Sequence, residues 1–152
     1  MKQSRPNQRP GKTHPEEDTY LELLRTTDLL SRGIAEVLKM ADLSATQYNM
    51  LRILRGAPEG LTCTEIADRM ITRDPDITRL LDRLEKRRLV SRSRQSKDRR
   101  MVLTRITTSG IRVLARIDLP VQQAHIGHLG HLGWKRLQLL TRLLRACRGE
   151  AA

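Results

Sequence analysis

Phenylalanine is absent from this 152-residue chain, and Trp134, Tyr20 and Tyr48 are its only aromatic residues. The core must therefore be built from Leu, Ile, Val and Met. Recognition of single strands or RNA by base stacking is disfavoured for the same reason, since it needs aromatic platforms. Cysteine is scarce as well. Cys63 and Cys147 lie far apart in helical contexts, which reads as two free thiols and not as a disulfide. A chain of this length buries enough core to need neither disulfide nor structural metal. No run approaches the roughly 18 apolar residues of a membrane-spanning helix. Nothing resembles a signal peptide, so a cytoplasmic location is expected. No Ser/His/Asp set, phosphate-cradling glycine loop or pair of catalytic carboxylates stands at meaningful spacing. The expectation is a protein that is not an enzyme and carries no cofactor.

Acidic residues are also in short supply: 17 Asp and Glu stand against 29 Lys and Arg, a formal charge of +12 and a pI of about 10.9. Such an excess points to a polyanionic partner, with nucleic acid favoured over a membrane surface. The charge is concentrated. Residues 72–105 carry 12 Lys/Arg and 5 Asp/Glu, a net of +7.

The chain divides by pattern. Residues 1–15 are polar, basic and proline-rich, and read as a disordered tail. A helix is expected from Glu16 to about Met40, with Leu23, Leu24, Thr27, Leu30, Ile34, Val37 and Leu38 on one stripe. Ser44 with Gln47, then Thr62 with Glu65, are capping-box signatures for a second and a third helix. Asp74 followed by Pro75 predicts the start of a fourth, in which Ile77, Leu80, Leu81 and Leu84 keep helical spacing. Alternating runs at 89–94 and 101–107 predict a β-hairpin. A fifth helix over about 109–127 should kink at Pro120. A sixth over about 134–148 aligns Leu137, Leu140, Leu143, Leu144 and Cys147. Two short helices followed by a basic hairpin form a winged helix-turn-helix. The fold class is mainly α with a small β-hairpin wing. A winged core at 43–108 lies between helices at 16–42 and 109–148, whose apolar stripes predict a two-fold homodimer.

The segments LSATQYNMLRIL, EGLTCTEIADRM, PDITRLLDRLEKRRLV, KDRRMVLTRIT and TSG, in that order, resemble the MarR family of winged helix-turn-helix regulators. The resemblance spans nearly the whole chain outside the tail. It implies a dimeric transcription factor, usually a repressor, that binds a palindromic operator in double-stranded DNA and releases it when a small molecule binds. Arg88 stands where the family commonly has glycine at the end of the recognition helix. Gly133 occupies a helix-cap position where Ser, Thr or Asp would be usual.

Within this frame, Thr72, Arg73, Asp76, Thr78, Arg79 and Arg83 fall at the start and on the outer face of the fourth helix. Arg can bond guanine O6 and N7 in bidentate fashion and Thr can touch a thymine methyl. The alternative is a solvated face with internal pairs such as Arg79–Asp82. In the wing, Lys97, Asp98, Arg99 and Arg100 form the tip, where an arginine can enter a narrow minor groove. The resemblance implies that Asp98 orients Arg99 or Arg100. Arg87, Arg88, Arg92 and Arg94 are expected to meet phosphates. An effector pocket, implied by the resemblance alone, directs attention to Met40, Tyr48, Arg52 and Arg112. His125, His128 and His131 are expected to be surface or interface residues and not metal ligands. Cys63 at a helix start could sense oxidation, although a packing role is the simpler reading. Two other functions stay open: an architectural DNA-binding protein, and a redox or metal sensor on the same scaffold.

Overall fold

The computed structural model describes residues 14–94 and 101–150. Most of the basic tail and the wing tip with Lys97, Asp98, Arg99 and Arg100 therefore lie outside the described residues. The elements run α1 (Pro15–Lys39), α2 (Ala45–Arg55), α3 (Cys63–Arg69), α4 (Ile77–Lys86), β1 (Val90–Arg94), β2 (Val102–Ile106) and α5 (Thr108–Leu129). A 3-10 turn at Gly130–Leu132 then leads to α6 (Trp134–Cys147).

Local chemistry sets most boundaries. Pro15, expected in the tail, opens α1 where its missing N–H costs nothing, and Glu16, Glu17 and Asp18 complement the positive helix end. Both capping boxes form. The Ser44 hydroxyl accepts the Gln47 N–H at 3.1 Å while the Gln47 side-chain Oε1 accepts the Ser44 N–H at 3.0 Å, and Thr62 and Glu65 repeat the exchange. Helix α4 starts later than the sequence suggests. The Asp74 carboxylate accepts the Asp76 N–H at 2.8 Å, so Asp74 and Pro75 form a turn and Asp76 takes the cap position. Thr107 caps α5 by accepting the Gly110 N–H, and its hydroxyl donates to the Arg88 carbonyl at 2.7 Å. Helix α5 continues through Pro120 and ends two residues beyond the expected limit. Gly133 has φ +75°, a conformation natural to glycine and not to a Ser, Thr or Asp cap.

One apolar core joins the winged unit to the flanking helices. Leu38 of α1, Met50, Leu51 and Leu54 of α2, Ile66 of α3, Leu81 and Leu84 of α4, and Leu114 and Ile117 of α5 are almost wholly buried. The hairpin is antiparallel, with Val90 opposite Ile106 and Arg94 opposite Val102. Leu61 adds a third edge that the sequence does not announce. It exchanges both backbone hydrogen bonds with Thr104, at 3.0 and 2.8 Å, and so pins the middle of β2 to the α2–α3 turn. Helices α1 and α5 pack together, and the His128 ring lies against Gly33 so closely that a methyl group there would clash. Helix α6 has no buried residue. Its Trp134, Leu139, Leu140 and Leu143 are exposed, as are Tyr20, Leu21, Leu24 and Leu29 of α1. No helix of the described residues is long and apolar enough to cross a membrane.

Candidate nucleic-acid interface

Helix α4 is the centre of the site. Ile77, Leu80, Leu81 and Leu84 face the core, so the 3.6-residue period turns Thr78, Arg79, Arg83 and Lys86 outward, and all four are exposed. The approach loop is anchored from behind. The Asn49 side chain on α2 accepts the Ile71 N–H at 3.0 Å. Ile71 itself is 83% exposed beside Thr72 and Arg73, an apolar side chain on a polar surface. Asn49 and Ile71 escape a sequence reading, since neither belongs to a periodic pattern.

The exit from α4 is a Schellman turn. The Leu89 N–H reaches the Leu84 carbonyl at 3.0 Å and the Arg88 N–H reaches the Glu85 carbonyl at 2.8 Å. Arg88 sits at φ +57°. The non-glycine residue thus adopts the left-handed conformation at the family's glycine position, at a cost of about 1 kcal/mol. Its side chain is exposed.

The arginines of this unit divide into two sets. Arg73, Arg83 and Lys86 are exposed and make no ion pair with another described residue, and Arg88 and Arg94 are also exposed. Others are engaged. Arg79 Nε lies 3.2 Å from an Asp76 carboxylate oxygen, so its partner is Asp76 and not Asp82. This pair is largely exposed and contributes little to stability. Arg87 is directed inward, donating to the backbone carbonyls of Asp42 and Ala41 at the α1–α2 corner, the latter at 3.0 Å. Arg92 is half-buried against Glu85 and Asp82. These hydrogen bonds, chiefly those from the Arg92 side chain, hold the Glu85 carboxyl below its ordinary pKa. Arg87 and Arg92, expected at phosphates, are thus committed to the protein in this structure.

The remaining expected residues are dispersed. Met40 is an exposed C-cap on α1. Arg52 lies over the Tyr48 ring at 5.7 Å, and Arg55 pairs with Asp118 at 2.7 Å, which ties α2 to α5. Arg112 donates to the Ser109 hydroxyl in the first turn of α5. Cys63 is exposed, its sulfur 3.9 Å from the Thr78 hydroxyl. Cys147 is exposed and not packed in the chain's own core; with Pro15, Glu16, Thr19, Tyr20 and Leu23 it lines an open groove of about 450 Å³. His125 and His128 lie within α5 and His131 in the following turn. Among the described residues no cluster of His, Cys, Asp and Glu is arranged to hold a metal.

The arrangement is an exposed cationic helix on a rigid apolar base with a hairpin at its side. Comparison with known proteins places it. The MarR family's sequence model matches residues 43–102. A MarR transcription factor from Planctomyces limnophilus is 40% identical, with a TM-score of 0.68 over 91% of this chain and 99% of its own. The regulator PecS of Dickeya dadantii is 30% identical over 97 residues, 62% of this chain and 58% of PecS. CouR from Rhodococcus jostii RHA1, solved with p-coumaroyl-CoA, has a TM-score of 0.76 at 23% identity over 90% of this chain and 95% of its own. With its fold, its order of elements and this near-complete match, the chain belongs to the MarR family of DNA-binding transcriptional regulators.

Proposed function

We propose that the protein is a homodimeric, cytoplasmic repressor that reads a pseudo-palindromic operator through α4 and the wing and releases it when a small molecule binds. The observation that carries the reading is the outward face of α4. Thr78, Arg79 and Arg83 are exposed on a helix whose opposite face is sunk in the core, the geometry a major-groove reader requires. Arg79 and Arg83 are assigned to base edges and phosphates, Thr72, Arg73, Asp76 and Thr78 to the entry of the helix into the groove, and Arg94 to phosphate. Lys97, Asp98, Arg99 and Arg100 are assigned to the minor groove by their place in the sequence between β1 and β2.

Two further features support the finer reading. The exposed apolar residues of α1 and α6 favour a second copy as their partner, and a two-fold dimer would present two reading helices to two half-sites. The small-molecule response rests on the fold shared with CouR and on the polar residues around α2, with Met40, Tyr48, Arg52 and Arg112 as the residues to probe. The test is selection from a random duplex library by the purified protein. The reading predicts one motif with two-fold symmetry, bound by two chains, with a specific affinity at least about 10³ above bulk DNA. Uniform, salt-governed binding to every duplex would support an architectural protein in its place. Loss of binding on mild oxidation, abolished by Cys63→Ser, would favour a redox sensor.

A further inference from the structure

Both strands of the wing are tied to the rest of the molecule, β2 to α2, α3 and α5 and β1 to α4. On β2, Leu61 pairs with Thr104 in mid-strand, and Leu103 and Thr104 are buried, as is Val90 at the base of β1. The tie on β1 lies at the same level, since Arg92 stands opposite Thr104. The Arg92 guanidinium donates through Nε to Glu85 Oε2 at 2.8 Å and through Nη2 to the same oxygen and to Asp82 Oδ1, the last at 2.6 Å. The Arg92 backbone N–H donates to the other Glu85 oxygen at 3.1 Å. One carboxylate therefore grips both the main chain and the side chain of the same strand residue. Asp82 and Glu85, three residues apart, are acids on a helix whose exposed side is otherwise cationic. Such acids oppose DNA binding unless a cation neutralises them.

We infer that Arg92, held by Glu85 and Asp82, is a positioning residue that sets the angle between the wing and the recognition helix, and with it the register between their two DNA contacts. The inference rests on the DNA-reading function proposed above. A charge-assisted, forked arrangement is directional as well as strong. It fixes β1 relative to α4 directly opposite the Leu61 bridge on β2, so each strand of the hairpin is held from its own side at one level. Lysine cannot replace it, because an ammonium is a point charge without the planar fork.

The decisive variant is Glu85→Gln. If Arg92 were a phosphate contact restrained by Glu85, removing that negative charge would free the arginine. Binding would tighten and its salt dependence would steepen. A positioning role predicts the opposite sign. Glu85→Gln should weaken binding to the selected operator by about tenfold, with an unchanged salt slope. Base preference should be lost at the positions flanking each half-site, under the wing, and retained at the positions under α4. Arg92→Met should show the same pattern, Arg92→Lys should not restore it, and Glu85→Gln with Arg92→Met should lose no more than either alone. Thermal melting of each variant gives the folded fraction, so affinities are compared per folded dimer. Equal or tighter binding by Glu85→Gln, or an equal loss of preference at every position, overturns the inference while the reading function stands. A wild-type protein that selects no motif overturns the reading function, and this inference with it.

Discussion

Arg88→Gly should make the protein more stable and its DNA binding weaker, two effects of opposite sign from one substitution. Arg88 occupies φ +57° at the end of α4. An L-residue pays about 1–2 kcal/mol in that conformation, and glycine adopts it freely. Glycine gives back about 0.4–1 kcal/mol through the greater freedom of the unfolded chain. The hydrogen bonds at this position all use the backbone: its N–H to Glu85 and its carbonyl from Thr107 survive the substitution. The exposed side chain has no packing to lose. The net gain is about 0–1.6 kcal/mol, centred on ~0.8 kcal/mol, or about 2–3 °C in melting temperature for a chain of this size. The assay is thermal melting of wild type, Arg88→Gly and Arg88→Ala at one protein concentration, because the stability of a dimer depends on concentration. Alanine removes the charge but keeps the strain, so only glycine should raise the melting temperature. Both variants should bind DNA more weakly, with a salt slope lower by about 0.9 for each phosphate that is no longer neutralised. Arg88→Gly and Arg88→Ala melting together would refute the assignment of strain to this residue.

Gly110→Ala should cost about 1–3 kcal/mol, since a methyl group would clash with the Leu89 carbonyl oxygen and the first turn of α5 would have to move off the wing base; chemical denaturation measures it. Arg87→Ala should cost about 1–2 kcal/mol by freeing the carbonyls of Ala41 and Asp42, yet leave the salt slope of DNA binding unchanged, because the guanidinium faces the α1–α2 corner and not a phosphate. Acid should weaken the Arg92 tie. The folded Glu85 pKa is depressed, so its stabilisation is fully present above the ordinary glutamate pKa and is lost as pH falls through the lower folded value. A carboxyl titration by NMR should show Glu85 titrating below the ordinary range in the wild type and within it in Arg92→Met.

Much of this architecture is legible in the sequence because it is periodic or capped. Ser44 with Gln47 and Thr62 with Glu65 mark two helix starts by local hydrogen bonds alone, and Leu80, Leu81 and Leu84 identify the buried side of α4. What escapes is non-local or depends on a single residue. The Leu61–Thr104 bridge has no run of β-formers on its first side, so no strand pattern betrays it. The start of α4 is displaced because Asp74 turns back onto Asp76 in place of capping helical donors. The partners of Arg92 lie seven and ten residues before it, across a helix end, a turn and a strand. The one available signal is the pair of acids Asp82 and Glu85 on a basic helix, which in sequence looks like any other charged surface. The apolar residues of α1 and α6 are legible as stripes, and a single chain leaves much of them exposed.

Base reading by α4 underlies the proposed function. It is tested most directly by measuring the affinity of the wild type and of Arg79→Ala for the selected operator and for every single-base variant of one half-site. The wild type should lose about 1–3 kcal/mol at each specified position, and Arg79→Ala should lose its preference at one guanine while retaining the others. A uniform fall in affinity with every preference intact would show that Arg79 only meets the backbone, and would contradict its assignment as a reader.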